Sequence, residues 1–185
     1  MSEYIKNYSI TVSISYLYTQ IRNRKVHGLN RLESDFVNII DHNQGLIHKI
    51  CRLYTDNAED RSDLFQEILL QLWKAYQNYK GQSKLSTWMY RVALYTAMGD
   101  LKKRKRKESY ALRSDSVVNS AELAFNVEHV QAAIALLSPS ERALLTLYID
   151  DKSYKEIAEI IGITESNAGV RLNRIKKKIR ASIKI

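Results

Sequence analysis

Proline and glycine, the two residues that most disfavour an α-helix, are scarce in this chain. One proline and six glycines occur among 185 residues. Hydrophobic residues make up 45% and charged residues 26% of the sequence, a balance that supports packed cores. The sequence therefore predicts an all-α protein, and its length accommodates one or two small domains.

Apolar residues recur with helical spacing in two separate segments. The first covers residues 31–107, with breaks at 55–60 and 79–86. Residues 108–127 lose this spacing and carry Ser, Asp and Asn, which predicts a flexible linker. We expect a first domain of three or four helices at 31–107 and a second domain at 128–185.

Residues 1–30 do not share the helical spacing. Apolar residues alternate with Ser and Thr between Ile10 and Tyr18, which is the period of a strand. We interpret this segment as a poorly ordered extension. A misassigned translation start and a functional strand are the alternatives.

The segment also lacks the features of a targeting signal. It is too rich in Ser and Thr for the apolar core of a signal peptide, and no apolar run in the chain approaches the roughly 20 residues of a membrane span. Cys51 is the single cysteine and cannot form an internal disulfide, which suits a reducing compartment. We expect a cytoplasmic protein.

Positive charge is concentrated in two blocks. The formal net charge is +9 at pH 7. Its excess lies in the unbroken basic run Lys102–Lys107 and in the C-terminal stretch Arg171–Arg180. Two separated basic blocks are typical of a protein that contacts an elongated polyanion twice.

The second domain carries clear helix-start signals. Ser138-Pro139-Ser140-Glu141 and Ser153-Tyr154-Lys155-Glu156 are capping boxes, and Thr164 offers a third cap. They predict helices at about 139–149, 154–161 and 165–180. The last two, joined by Gly162-Ile163-Thr164 and with small Ala158 at the crossing point, fit a helix-turn-helix.

The last of these helices has two distinct faces. Ala168, Leu172, Ile175 and Ile179 form a narrow apolar stripe. The opposite face combines short polar and basic side chains, which is typical of a recognition helix that enters the major groove: Ser166, Val170, Asn173, Arg174, Lys177 and Arg180. The alternative is a solvated basic face on a helix packed only for stability.

The first domain has an unusual helix between Asp63 and Tyr79. Its outer face presents Asp63, Gln66 and Glu67 together with the aliphatic Leu70. This composition suits either an exposed helix or one that docks on a basic protein partner. The following aromatic residues, which lead toward the basic run, are either core rings or platforms for unpaired bases: Tyr76, Tyr79, Trp88, Tyr90 and Tyr95.

These motifs, in this order, resemble the extracytoplasmic-function (ECF) sigma factors of bacterial RNA polymerase. Asp63-Leu64-Phe65-Gln66-Glu67 through Tyr76 is similar to the region 2 helix that binds the β′ clamp. Ser86-Thr87-Trp88-Met89-Tyr90-Arg91-Val92-Ala93 resembles the helix that melts the −10 element. Leu137-Ser138-Pro139 and the helix-turn-helix resemble region 4, which binds −35 DNA.

The resemblance implies three sets of functional residues. Polymerase core, through its β′ clamp and β subunits, would be bound by Asp63, Gln66, Glu67 and Leu70. The −10 element and DNA backbone would be bound by Lys80, Lys84, Trp88, Tyr90, Arg91, Lys102, Lys103 and Arg104. The −35 element would be bound by Ser166, Asn167, Val170, Arg171, Asn173, Arg174 and Lys177.

The implied function is promoter-specific initiation, with double- and single-stranded promoter DNA as ligand and an anti-sigma factor as a further partner. Gly169 and Val170 depart from the family, which often has a basic residue and a serine there. Gly169 also lowers helix stability by about 1 kcal/mol relative to alanine.

Two other functions are open from the residues alone. One is a helix-turn-helix regulator that binds a palindromic duplex and no polymerase core. The other is an enzyme, although the four histidines show no metal-ligand spacing with Cys51 and no nucleophile motif or Gly-rich phosphate loop occurs. We therefore predict no catalytic residue, cofactor or metal.

Overall fold

A computed structural model describes residues 31–111, residue 134 and residues 136–183. All its elements are helices, which confirms the all-α fold class. In chain order they are α1 (Arg31–Tyr54), α2 (Ala58–Tyr76), α3 (Leu85–Ala111), α4 (Pro139–Ile149), α5 (Tyr154–Ile161) and α6 (Glu165–Ile183). The proposed extension 1–30 and the linker residues 112–127 lie outside the described part.

The chain divides into two compact units, Met1–Asp100 and Leu101–Ile185. In the N-terminal unit, α1, α2 and the first half of α3 share an apolar core whose centre is formed by Ile40, Ile47, Ile50, Leu64, Ile68, Leu72, Met89 and Leu94. None of the helices in the described ranges is apolar over the length needed to cross a membrane.

Helix α2 begins earlier than the sequence predicted. Asn57 is its N-cap, and the Asn57 Oδ1 accepts a hydrogen bond of 2.8 Å from the backbone N–H of Asp60. The helix therefore starts at Ala58 instead of Asp63 and ends at Tyr76 instead of Tyr79. The predicted breaks at 55–60 and 79–86 overlap the two gaps between helices, 55–57 and 77–84, but residues 58–60 lie in α2 and residues 85–86 lie in α3.

Helix α3 is longer than the sequence predicted. It runs for 27 residues and includes residues 108–111, for which the sequence predicts a linker. The basic run follows the apolar first half of α3 without an interruption in the helical backbone. Lysine and arginine are good helix formers, so loss of apolar spacing there marks the loss of packing and not the end of the helix.

The C-terminal unit has the three helices that the capping signals predicted. Ser138 caps α4 and Ser153 caps α5, and both form complete capping boxes with Glu141 and Glu156. Thr164 Oγ1 accepts a hydrogen bond of 3.2 Å from the Asn167 N–H at the start of α6. The core between α4, α5 and α6 is apolar and comprises Leu137, Ala143, Leu144, Leu147, Ile157, Ile160, Ala168, Leu172 and Ile175.

Candidate nucleic-acid interface

The turn between α5 and α6 has the geometry of a helix-turn-helix. Gly162 ends α5 with φ 75°, ψ 41°, a left-handed conformation that glycine adopts without steric cost. The N–H groups of Gly162 and Ile163 donate to the carbonyl oxygen of Ala158, at 2.9 and 3.0 Å. The small Ala158 side chain is buried where the two helices approach.

Helix α6 separates its two faces as expected. Ala168, Leu172 and Ile175 are at most 1% exposed, while Ile179 is partly exposed. All seven side chains predicted to bind the −35 element are exposed: Ser166, Asn167, Val170, Arg171, Asn173, Arg174 and Lys177. The outer face of α6 is therefore accessible to a ligand. The buried apolar stripe packs the helix against the rest of the C-terminal unit.

One side of this surface is lined by arginines. The Arg171 Nε donates to Asn167 Oδ1 at 3.1 Å, so one predicted DNA-binding side chain orients another. Arg171 and Arg174 line a cavity of about 350 Å³ together with Ser138, Ser140, Glu141 and Leu144 at the start of α4. Two cations beside the N-terminal turn of a helix favour an anion such as a phosphate.

An ion pair connects α6 with α4 through Glu141, one of the residues that line this cavity. Lys178 Nζ donates to Glu141 Oε1, and the same carboxylate accepts the N–H of Ser138. The hydrogen bonds from Lys178 and Ser138 lower the pKa of Glu141 below its usual value. Glu141 thus closes the capping box of α4 and tethers α6 to it.

Aromatic rings gather in the N-terminal unit near the α2–α3 loop. Trp88 lies with its ring centroid 4.9 Å from that of Tyr79 and 6.3 Å from that of Tyr76. The Tyr79 hydroxyl donates to the Ser83 carbonyl at 2.6 Å and closes the loop, in which Gly81 has φ 70°. Trp88 is partly exposed, so its ring is both packed and accessible.

On helix α3, the prediction that Tyr90 contacts DNA is wrong, and Tyr95 is the exposed ring. Tyr90 is 6% exposed, so its ring belongs to the core and is not accessible to a base. Tyr95 is 51% exposed and lies seven residues after Trp88, which puts both on one face with Arg91. The helical spacing of Trp88, Arg91 and Tyr95 in the sequence already indicated that these three side chains share one face of α3.

The remaining cations predicted near the −10 element are accessible. Lys80, Lys84 and Arg91 are exposed around the loop and the start of α3. On the basic run, Lys102 and Lys103 are exposed and Arg104 is partly buried.

The predicted partner surface occupies the outer face of α2. Asp63 and Gln66 are exposed, and Glu67 and Leu70 are partly exposed. Glu67 Oε1 accepts a hydrogen bond of 2.8 Å from the Gln71 amide. Leu64, Phe65, Ile68, Leu69 and Leu72 on the other side are at most 4% exposed, so the helix keeps its outer face free for a partner.

A smaller cavity adjoins this face. About 210 Å³ of space is lined by His48, Ala58, Arg61, Ser62, Phe65 and Gln66. The His48 ring stacks on Phe65 with centroids 4.5 Å apart, and burial together with the nearby Arg52 lowers the pKa of His48. Within the described residues, no group of three or more His, Cys, Asp or Glu side chains could hold a metal ion.

The geometry defines a helical protein with a helix-turn-helix in its C-terminal unit, and sequence comparison identifies both units. The sequence pattern of sigma-70 region 2 matches residues 39–107, and that of sigma-70 region 4 matches residues 128–179. The chain belongs to the sigma-70 family and to its ECF sigma factors.

Named relatives agree with this family. The chain is 28% identical to the ECF RNA polymerase sigma factor SigG of Mycobacterium tuberculosis, over 70% of this chain and 44% of that protein. It therefore spans less than half the length of SigG. Identity to the ECF RNA polymerase sigma factor SigW of Bacillus subtilis is 26%, over 80% of this chain and 89% of that protein.

Two solved structures share the fold. One is the sigma factor RpoE of Bartonella quintana, solved in complex with the anti-sigma factor NepR, with a TM-score of 0.64 and 18% identity. It covers 82% of this chain and 98% of the RpoE chain. The other is CnrH in complex with the cytosolic domain of CnrY, with a TM-score of 0.59, 18% identity, and coverage of 90% and 94%.

Proposed function

We propose that this chain directs bacterial RNA polymerase core to a specific set of promoters and opens the DNA there. The observation that carries the proposal is the exposed face of α6, where seven predicted DNA-binding side chains lie on a capped helix-turn-helix. A region 2 match in the same chain distinguishes this function from that of a helix-turn-helix regulator, which needs no polymerase-binding domain.

The two basic surfaces have different ligands in this proposal. Helix α6 enters the major groove of the −35 element with its N-terminal residues toward the base edges. Around the start of α3, Trp88 and Tyr95 stack on unpaired bases of the −10 element while Lys80, Lys84 and Arg91 neutralise phosphates. The exposed Lys102 and Lys103, with Arg104, extend this backbone contact.

The outer face of α2 is the proposed docking site for polymerase core. Asp63, Gln66 and Glu67 surround the aliphatic Leu70, which suits a basic protein surface with an apolar centre. The expected receptor is the β′ clamp, with further contacts to the β subunit.

The chain itself performs no chemical step in this proposal. Binding energy from core and DNA offsets the unstacking of bases, which costs a few kcal/mol per base. No cofactor or metal is needed, and the proposed location is the cytoplasm, where polymerase and DNA meet. We also propose an anti-sigma partner, because the RpoE structure of similar fold contains an anti-sigma factor and CnrH was likewise solved with a protein partner.

Co-elution with polymerase core, followed by transcription from a promoter library, tests the proposal. The wild-type chain is expected to bind core and to initiate at promoters that share −35 and −10 sequences. Glu67→Lys on the docking face should weaken core binding at least tenfold, whereas Glu59→Lys, at an exposed position in the first turn of the same helix, serves as the matched control. Absence of core binding together with tight binding to a palindromic duplex would establish the regulator instead.

A further inference from the structure

An aliphatic side chain stands at the centre of the DNA-binding face of α6. Val170 is 48% exposed and lies opposite the buried stripe of this helix. At 100° per residue, the residues of α6 that lie within about 60° and within two turns of Val170 are all polar or basic: Ser166, Asn167, Asn173, Arg174 and Lys177. A single exposed valine is common on protein surfaces, but this one occupies the position from which a recognition helix approaches the bases.

A tyrosine from α5 lies against α6 at the residue that precedes Val170. Gly169 has no side chain, and a Cβ built there would lie 3.7 Å from Cε2 of Tyr154. Tyr154 is 41% exposed, so aromatic carbon lies at the surface beside Gly169, the residue that precedes Val170. A lysine or arginine at position 169 would bring a cation to this edge.

A second ring and a cation extend this edge. The Tyr148 centroid lies 6.5 Å from that of Tyr154, and Lys176 Nζ lies 3.9 Å from the Tyr148 centroid. The contact with Tyr148 keeps the Lys176 ammonium beside an aromatic ring. The two sides of α6 therefore differ: arginines and a helix start on one, aromatic rings on the other.

Only one base presents an apolar group in the major groove. Thymine carries a 5-methyl group there, whereas the other base edges offer hydrogen-bond donors and acceptors. The Val170 side chain has no polar atom, so it gains free energy only by burying apolar surface. An approach of Val170 to any edge without a methyl group would remove a donor or acceptor from water without replacing its hydrogen bond.

We propose that Val170, with the ring of Tyr154 beside Gly169, is a specificity-determining residue that recognises the 5-methyl group of a thymine in the −35 element. This inference rests on the proposed binding of −35 DNA by α6. It assigns to this chain a base preference that a serine at this position would not give.

Deoxyuridine substitution isolates the methyl group, because uracil differs from thymine only by its absence. The −35 sequence selected by the promoter library is rebuilt with each thymine of either strand replaced in turn, and the affinity of the chain–core complex is measured. At one or two adjacent positions the affinity should fall about fourfold, which corresponds to about one methyl group buried. At the other positions it should stay within twofold.

Two variants connect the effect to the protein. Val170→Ala should bind the thymine duplex about as weakly as wild type binds the uracil duplex, and it should no longer distinguish the two. The matched control is Ile149→Ala, an aliphatic truncation at a 65% exposed position of α4. This control should keep the full preference for thymine.

Three results would overturn the inference: a selected −35 element without thymine, neutral deoxyuridine at every position, or a thymine preference that survives in Val170→Ala. If the chain binds duplex DNA but not core, the proposed function fails, and the same series on the duplex alone still decides the role of Val170. If it binds no DNA, both proposals are wrong.

Discussion

The two surfaces for which we propose DNA binding are built in different ways. In the C-terminal unit, α4 and α5 each begin with a complete capping box, and Gly162 closes α5. In the N-terminal unit, the accessible ring of Trp88 is positioned by contacts with Tyr76 and Tyr79, which come from other parts of the chain. Local hydrogen bonds thus define the first surface, and packing between helices defines the second.

This difference explains why the sequence predicted the exposed side chains of the C-terminal surface better than those of the N-terminal surface. Helix α6 has a narrow buried stripe, so periodicity alone separates its inner from its outer side chains. The first half of α3 has apolar or aromatic residues on nearly all sides, and periodicity does not distinguish the buried Tyr90 from the exposed Tyr95. The following predictions test this contrast, from the largest expected effect to the smallest.

Truncation of a core residue of α6 should have the largest effect. Leu172→Ala removes a side chain that is 0% exposed, so it should lower the free energy of unfolding of the C-terminal unit by about 2–5 kcal/mol. Thermal unfolding followed by circular dichroism measures the loss. The control is Leu136→Ala, at a 79% exposed position, which should change stability by less than about 0.5 kcal/mol.

Loss of an exposed ring on α3 should weaken binding to single-stranded DNA. Tyr95→Ala should lower the affinity of the chain–core complex for a −10 oligonucleotide by about 1–3 kcal/mol, which is the value of one base stacked on an aromatic ring. Tyr95→Phe keeps the ring and should bind nearly as well as wild type. Equal losses in both variants would mean that Tyr95 does not stack on a base.

Removal of a helix cap should destabilise the C-terminal unit more modestly. Ser153→Ala deletes the acceptor for the Glu156 N–H and should cost about 1 kcal/mol in unfolding free energy. Ser153→Asp restores an acceptor of similar strength and should recover most of the loss. An unfolding midpoint of Ser153→Ala equal to that of wild type would show that the cap contributes nothing to stability.

The N-terminal unit should become less stable in mild acid. Burial lowers the pKa of His48 below 6.5, so the unfolded chain binds this proton at a higher pH than the folded chain does. The contribution of neutral His48 to the free energy of unfolding is fully present above pH 6.5. This contribution is lost as the pH falls below 6.5 and through the lowered pKa of His48. His48→Phe keeps a ring against Phe65 and should remove this part of the pH dependence, measured by urea unfolding between pH 5 and 8.

The smallest effect is expected at Glu141 in the C-terminal unit. The hydrogen bond from Lys178 lowers its pKa below 4.5, so its contribution to stability is present above pH 4.5 and is lost as the pH falls through the lowered value. Because the Lys178 side chain is 59% exposed, solvent screening keeps the pair below about 1 kcal/mol. Glu141→Gln should lower the free energy of unfolding slightly at neutral pH and should remove the corresponding decline of stability below pH 5, measured by urea unfolding between pH 3 and 7. A decline below pH 5 as steep as that of wild type would contradict this assignment.

The sequence by itself determined the helix content, the two capping boxes, the glycine turn and the outward face of α6. Each depends on neighbours within four residues or on one repeating period, so a linear pattern contains all the information. Asn57 belongs to the same group, since its bond to Asp60 spans three residues; the prediction passed over it because apolar spacing began only at Leu64.

Only the tertiary structure decided which aromatic residues of α3 are core and which are accessible. It also paired Glu141 with Lys178, which are 37 positions apart, and placed Tyr154 against Gly169 beside Val170. These contacts join residues whose distance along the chain is unrelated to their distance in space. They exist because close packing of α1–α3, and of α4–α6, leaves each side chain only the space that its neighbours do not fill.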